Sequence, residues 1–165
     1  MATIVPCFWV DEAVNGYSTD FGQATVTVSE ENPDEENEMN YEAARHYLLS
    51  RPEAAEDYPF GPDVMVARVM NKMYATLAWN KGVANMNLKC DPDQASELRD
   101  MFEAVTPGYH MNKKHWNTVA LDGSIPDGEI ERMIDHSYSL VVKKLKKAER
   151  QALDLRYGVS ALYRE

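Results

Sequence analysis

Three strand-like segments follow one another closely in the middle of the chain, and they constrain the fold more than any other feature. Residues 64–69 are almost all apolar, and residues 73–79 and 84–89 alternate in side-chain character. In the last segment, every second side chain is apolar and the others are asparagine or lysine, which is typical of a strand with one face on a core. Residues 70–72 and 80–82 are connections short enough for hairpins. The segments therefore predict an antiparallel meander.

Three helices are predicted around this meander. Asn40 suits the N-cap of a first helix that runs to about Arg51 and ends before a proline. Asp91, followed by proline, caps a second helix whose apolar stripe extends to Val105. The third helix opens near Ser124 and carries apolar residues spaced four, four, three and four apart.

A further strand pattern at residues 116–121 separates the second and third helices. The resulting order is helix, strands, helix, strand, helix. Because successive strands are joined by hairpins, this order predicts an α+β fold, with an antiparallel sheet and helices packed on one face. We divide the chain into an N-terminal extension (1–38), a domain (39–150) and a C-terminal tail (151–165), whose apolar residues are expected to dock.

The negative charge of the chain is concentrated at its beginning. The chain carries a net charge of -10, but residues 1–39 contain nine acids and no Lys or Arg. The remainder holds 18 of the 27 acids with all 17 bases, so it is nearly neutral. Two interpretations of the extension stay open: a flexible acidic arm preceded by strand patterns at 4–10 and 24–28, or translation upstream of a true initiator at Met39. An acidic arm would oppose phosphate binding or compete for a basic patch.

The segment 106–122 concentrates cationic, aromatic and amide side chains more densely than any other part of the chain. Lysine neutralises phosphate, tryptophan stacks on bases, and asparagine binds base edges or phosphate. We therefore predict a nucleic-acid-binding loop. The alternative is a loop that enters a strand, with its tryptophan closing the core and its lysines solvated. The predicted binding residues are Lys113, Lys114, His115, Trp116 and Asn117.

The histidines of this segment, His136 and Cys90 are the residues with potential for catalysis or metal binding. His110 and His115 are five residues apart, and His136 follows an aspartate on the last helix, but no spacing forces them together. Cys90 precedes a helix cap, although Asp91 beside it opposes thiolate formation. Because no nucleophile with a paired base emerges, we expect a non-enzymatic protein with no cofactor and no metal.

Two other groups receive structural interpretations. We interpret residues 58–61 and Trp79 as structural residues that form a bend and contribute to the core. The lysines within residues 143–147 are interpreted as a solvated helix end, where cations suit the helix dipole. They would extend a basic surface if the last helix lies near Lys113 and Lys114.

Composition bears on the location of the protein. No apolar run approaches the roughly 18 residues that cross a bilayer. The two cysteines form no disulfide framework, and the start of the chain lacks the basic and apolar regions of a secretory signal. We therefore expect a cytoplasmic protein without a membrane partner.

Residues 40 to about 150 resemble the MmcQ/YjbR family of small bacterial proteins. The resemblance is carried by four segments in one order, at residues 57–63, 87–92, 107–119 and 134–138. It implies a frataxin/CyaY-like α+β fold and a role in DNA binding. The function predicted is a small bacterial binding protein that contacts DNA through the loop. The alternative is a protein-interaction or small-ligand-binding adaptor domain.

Overall fold

The computed structural model describes residues 38–164, so the strands predicted at 4–10 and 24–28 lie outside the described residues. The helices of the described range are α1 (Tyr41–Leu49), α2 (Pro92–Met101), α3 (Asp127–Lys143), α4 (Lys147–Tyr157) and α5 (Val159–Leu162). The strands are β1 (Ala54–Asp57), β2 (Val64–Val69), β3 (Lys72–Asn80), β4 (Val83–Lys89), β5 (Val105–Pro107) and β6 (Trp116–Leu121). The α+β class predicted from the sequence is confirmed.

The six strands form one antiparallel sheet in the order β1-β2-β3-β4-β6-β5. The predicted meander is its centre, β2-β3-β4. Each hairpin has a two-residue turn with positive φ at both positions: Met70 and Asn71 (46° and 62°), and Lys81 and Gly82 (51° and 84°). Such turns match the right-handed twist of the flanking strands, which explains why so short a connection suffices.

The predicted element order was wrong in omitting two short strands. β1 and β5 contain four and three residues, too few for a periodic pattern. Val105, assigned to the second helix, instead lies on β5 opposite Val119. α2 ends at Met101 because the next residue, Phe102, has extended backbone dihedrals.

The start of the third helix also differs from the prediction. α3 begins at Asp127, and Ser124 belongs to the preceding turn. The amide nitrogen of Ser124 lies 3.0 Å from Asp122 Oδ1, to which the Ser124 hydroxyl also donates. A side chain that can bond to a neighbouring turn residue is not available as a cap, so Ser124 closes a turn here.

Register assigns the side chains of the sheet to two faces. One row across the strands is apolar and belongs to the core that also contains side chains of α1 and α3; it comprises Met65, Leu77, Met86, Val119 and Val105. The neighbouring row belongs to the opposite face and becomes polar after its first member; it comprises Val66, Thr76, Asn87, Thr118 and Thr106. We call the first the helix face and the second the open face.

The C-terminal residues are part of the folded unit. α4 starts at Lys147, so the boundary predicted at residue 150 lies inside this helix. Leu153 and Leu162 are buried in the same core as the helix face, which agrees with the expectation that the tail docks. Across residues 38–164, no helix combines the length and the apolar character needed to cross a membrane.

Candidate functional site

The loop between β5 and β6 exposes part of the predicted binding set. Lys113 and Lys114 are exposed in a turn, and His115 is half-buried. The turn is closed by Asn112, whose side-chain oxygen accepts a hydrogen bond from the Lys114 amide at 3.0 Å. Arg99 of α2 donates to the Lys113 carbonyl at 2.5 Å, so the loop is fastened to the helix. The two lysines are therefore presented on an ordered turn.

Trp116 and Asn117 are buried instead of exposed. The Asn117 side-chain oxygen accepts from Arg99 Nε at 2.8 Å, and its amide nitrogen lies 3.5 Å from the Ala95 carbonyl. These bonds join β6 to α2, and they occupy the groups that were expected to contact bases. For these two residues the placement matches the alternative of a loop that enters a strand. Nothing in the sequence pattern marked Arg99, which organises the whole arrangement.

A lysine outside the predicted set lies beside this loop. Lys89 Nζ is 5.6 Å from the centroid of the Trp116 ring. Partial burial, and then the positive charge of Lys144, lower the Lys89 pKa. Lys144 follows the last residue of α3, so the lysine-rich helix end lies within electrostatic range of Lys89. An extended basic surface that joins this helix end to Lys113 and Lys114 stays a prediction.

The open face carries a groove of about 750 Å³. Its floor is the polar row of the sheet, and its walls come from the bend before β2, the β3–β4 turn and residues 109–111. The lining residues include Phe60, Met73, Thr76, Trp79, Lys81, Asn85, Asn87, Tyr109, His110, Met111 and Thr118. Volumes of roughly 300–1,000 Å³ are usual for small-molecule sites.

A chain of hydrogen bonds crosses the groove floor. The Tyr109 amide donates to Thr118 Oγ1 at 3.0 Å, and the Thr118 hydroxyl donates to Asn87 Oδ1. Asn87 Nδ2 then donates to Thr76 Oγ1 at 2.9 Å. The Asn87 amide is thus held from both sides, with Oδ1 facing Thr118 and Nδ2 facing Thr76.

Two aromatic side chains of the groove are largely exposed, Phe60 (62%) and Tyr109 (68%), and Trp79 at the end of the groove is also exposed (62%). The sequence interpretation of Trp79 as a core residue was therefore wrong. Trp79 lies near the end of β3, where its ring stacks on Tyr41 with centroids 5.4 Å apart and planes at 10°. The alternation of β3 alone does not show that the core ends before Trp79.

Gly108 permits a close backbone contact with Trp116 just before Tyr109, which lines the groove. A Cβ at this position would lie 2.7 Å from Trp116 Cβ and 2.9 Å from the Trp116 carbonyl oxygen. The glycine amide also donates to that carbonyl at 2.8 Å. His110 then has a positive φ of 55°, and its ring centroid lies 4.0 Å from that of Tyr109. The Pro-Gly pair noted in the sequence thus serves a close backbone approach.

The groove differs in charge from the protein as a whole. Of the described residues that line it, none is Asp or Glu, whereas Lys81 and His110 contribute basic groups. The chain carries 27 acids. An anionic substituent would thus meet no carboxylate among these lining residues and would find a cation at the rim.

The groups considered for metal binding are separated or already occupied. Asp135 accepts from Arg51 Nη1 at 2.7 Å and from the Tyr47 hydroxyl at 3.0 Å, and both members of the ion pair are buried. Within residues 38–164, no three His, Cys, Asp or Glu side chains are grouped so as to hold a metal ion. The pair instead joins the end of α1 to α3.

Cys90 is buried after β4. Burial, and then the charge of Asp91, raise its thiol pKa from 9.0 to about 11. The thiol form therefore predominates at neutral pH, and a protonated thiol is a poor nucleophile.

Comparison with known sequences places the chain among small bacterial proteins. A family model, YjbR, matches residues 49–140. The uncharacterized protein YbdF of Escherichia coli O157:H7 is 32% identical over 111 residues, covering 67% of this chain and 91% of YbdF. The uncharacterized protein YjbR of Escherichia coli K12 is also 32% identical, over 107 residues, covering 65% of this chain and 91% of YjbR.

Solved structures show the same relationship. The crystal structure of Deinococcus radiodurans protein DR2400 is 37% identical and superimposes with a TM-score of 0.64, covering 69% of this chain and 87% of that one. A crystal structure of a Pseudomonas syringae protein is 32% identical with a TM-score of 0.56, covering 62% of this chain and 98% of that one.

Proposed function

This chain belongs to the YjbR family, and from that premise and the geometry of the open face we propose that it is a non-enzymatic binding protein for a small ligand. The groove is the binding surface. The observation that carries the proposal is the directed chain Tyr109–Thr118–Asn87–Thr76 beneath exposed aromatic walls. A preset amide in a partly apolar groove is the usual composition of a ligand site.

A comparison with the predicted loop at residues 113–117 favours the groove as the binding site. Of the five residues proposed from the sequence, Trp116 and Asn117 are buried and bonded within the protein. Around the groove, aromatic rings that would be costly to leave in water are exposed together. Exposed aromatic surface beside oriented polar groups supports binding, and Cys90 in its protonated state offers no ready nucleophile.

A fragment library screened by ¹H–¹⁵N NMR on the full chain tests the proposal. We expect bound fragments to shift the backbone resonances of Thr76, Asn87 and Thr118 and the side-chain amide of Asn87. Fragment shifts confined to residues outside the groove, or no shifts in any region, would contradict it. Peptides included in the library distinguish a protein-interaction role, since an extended peptide would perturb the full length of the groove.

A second candidate, DNA binding through the loop, is favoured by one observation. Lys113 and Lys114 are exposed, and Lys89 with Lys144 continues the positive charge beyond Trp116. We keep Lys113, Lys114 and His115 as proposed phosphate contacts. Each neutralised phosphate contributes a slope of about -0.9 to the dependence of log K on log salt.

Fluorescence anisotropy with duplex and single-stranded DNA checks this candidate. Replacing Lys113 and Lys114 together with alanine should weaken binding and reduce the salt slope by about 2. Lys72→Ala, at an exposed lysine on β3, is the matched control and should change the affinity little. Undiminished DNA binding in the double variant would exclude the loop.

The frataxin/CyaY-like architecture implied by the family resemblance remains our proposal for the fold lineage. An antiparallel sheet with α1 and α3 on one face supports it. Superposition on a frataxin structure tests it, and a different strand order there would reject the relationship.

A further inference from the structure

We infer that the groove of the open face takes a nucleotide-like ligand: a planar heteroaromatic ring with an amide-type edge and an anionic substituent. The inference rests on the proposed function of the groove as the binding surface and names the class of compound it accepts. Three independent features of the groove specify the ring edge, the ring face and the charge.

The ring edge is specified by Asn87 and Asn85. Within residues 38–164, Asn87 donates once, to Thr76, and accepts once, from Thr118. A carboxamide has two N–H groups and two lone pairs, so Asn87 retains one donor and one acceptor. Its neighbour on the same face, Asn85, donates once to the Val83 carbonyl at 3.0 Å. A donor beside an acceptor pairs with the complementary edge of a nucleobase, as asparagine does with adenine.

The orientation of the Asn87 amide is already set before a ligand arrives. Asn87 Oδ1 accepts from the Thr118 hydroxyl and Nδ2 donates to Thr76, so residues of the two neighbouring strands hold both ends of the amide. Thr76 is buried, so water does not readily compete for this end of the chain. A fixed donor–acceptor pair selects among rings by their hydrogen-bonding edge, and preorganisation lowers the cost of binding.

The ring face is specified by the aromatic walls. Phe60 and Tyr109 are each more than half exposed although both line one groove. Tyr109 follows the close contact made by Gly108, and its ring centroid lies 4.0 Å from that of His110. Held aromatic rings accept a base by stacking without preference for one base, so selectivity falls to the amides below.

The charge of the ligand is specified by the lining. The described lining residues include Lys81 and His110 and no carboxylate, in a chain with a net charge of -10. Lys81 belongs to the β3–β4 turn and His110 to the opposite loop, and both are exposed. A phosphate on the ligand would be attracted to the rim, while the uncharged floor receives the ring.

The same chemistry has two sources, a free nucleotide or an unpaired residue of a single strand. Both are tested by ¹H–¹⁵N NMR titration of the full chain with AMP, CMP, GMP and UMP, the four parent nucleosides, and a single-stranded and a duplex oligonucleotide. We expect shifts at Thr76, Asn87 and Thr118 with at least one nucleotide, and several-fold weaker binding of its nucleoside. Tighter binding of the mononucleotide assigns the free ligand, and tighter binding of the single strand with the same shifts assigns the unpaired residue.

Variants locate the binding. Asn87→Ala should weaken binding of the selected nucleotide at least tenfold. Tyr109→Ala should weaken binding of every nucleotide that the protein accepts. Leu155→Ala removes an apolar side chain that is 88% exposed and outside the groove lining, and it should leave affinity unchanged. Should Asn87→Ala fail to fold, Asn85→Ala serves instead, because within residues 38–164 the Asn85 side chain bonds only to the nearby Val83 carbonyl.

The outcomes separate this inference from the proposed function. Library fragments that shift groove resonances while millimolar nucleotides do not would overturn the nucleotide assignment and leave the groove as a binding site. Silence of the groove towards both nucleotides and fragments would overturn both. Nucleotide shifts confined to Lys113 and Lys114 would transfer binding to the loop and also overturn the inference.

Discussion

The two faces of the sheet are built from neighbouring residues of the same strands, yet they differ in almost every physical property. On the helix face, Met65, Leu77 and Met86 are fully buried beneath helices. On the open face, Thr76, Asn87 and Thr118 are hydrogen-bonded to one another. The alternation of side chains along a strand allows one face to supply the stability that the other does not provide.

Charged and polar groups also have different roles on the two sides. On the helix side, the buried Arg51–Asp135 pair joins α1 to α3. On the open face, the polar chain ends in a solvent-accessible groove. Removing a group from the first should cost mainly stability, whereas removing one from the second should mainly alter binding. Matched substitutions in the two regions test that division.

Asp135→Ala should produce the largest loss of stability. It leaves the Arg51 guanidinium buried without its partner and also removes the acceptor of the Tyr47 hydroxyl. Loss of one member of a buried pair costs about 3–5 kcal/mol. Urea unfolding measures the free energy. The control is Arg45→Ala, which breaks the more exposed Arg45–Glu56 pair and should cost much less. Similar costs for both variants would contradict the assignment.

Gly108→Ala should produce the second largest loss of stability. The new Cβ would lie 2.7 Å from Trp116 Cβ, so the backbone has to move. Overpacking of this kind costs about 1–3 kcal/mol. Gly128→Ala provides a control of opposite sign, because its Cβ meets nothing within 4 Å and it lies in α3. Alanine there should stabilise by up to about 1 kcal/mol. Equal thermal midpoints for the two variants would reject the close-contact argument.

Thr118→Val should have a smaller effect on stability and a clear effect on the groove. It removes the acceptor of the Tyr109 amide and the donor to Asn87, at a cost of about 1 kcal/mol. Thr106→Val on the paired strand removes only a long 3.5 Å bond and should be nearly neutral. The Asn87 side-chain NMR resonances should shift in the first variant and not in the second. Unchanged Asn87 resonances in Thr118→Val would mean that the chain does not orient the amide.

The pH dependence of Cys90 alkylation tests the burial of its thiol. Of the predictions made, this one has the smallest expected effect at neutral pH. In a Cys7→Ser background, alkylation of the folded protein by iodoacetamide should accelerate up to about pH 11, because burial raises the thiol pKa from 9.0 to about 11. The raised pKa contributes stability that is present below pH 9 and lost as pH rises through 11. In denaturant the rate should level off near pH 9. A plateau near pH 9 in the folded protein would contradict the predicted shift.

Much of the architecture was predictable because its signals are local. The alternation in β4, the short hairpin turns, and the caps at Asn40 and Asp91 each depend on a few adjacent residues. They suffice for the α+β class and for the central meander. β1 and β5 were missed because three or four residues contain no period, and they become strands only by pairing with β2 and β6.

The site was less predictable because composition does not determine accessibility. The sequence indicated that the β5–β6 loop matters, and Tyr109, His110 and Met111 from that loop do line the groove. It did not indicate that Arg99 reaches across from α2 to occupy Asn117, or that Thr76 and Thr118 lie on either side of Asn87. These contacts join residues 11 to 31 positions apart in the chain.

Local sequence signals sufficed to locate most helices and the central strands, and they identified the loop next to the groove. Long-range packing was needed to distinguish the buried tryptophan from the exposed one: Trp116 lies against the folded body, and Trp79 lies beyond the edge of the core. The physical reason is that local periodicity determines the face of a strand on which a side chain lies. Whether that face is covered there depends on segments distant in the sequence, through the pairing of strands and the packing of α1, α2 and α3.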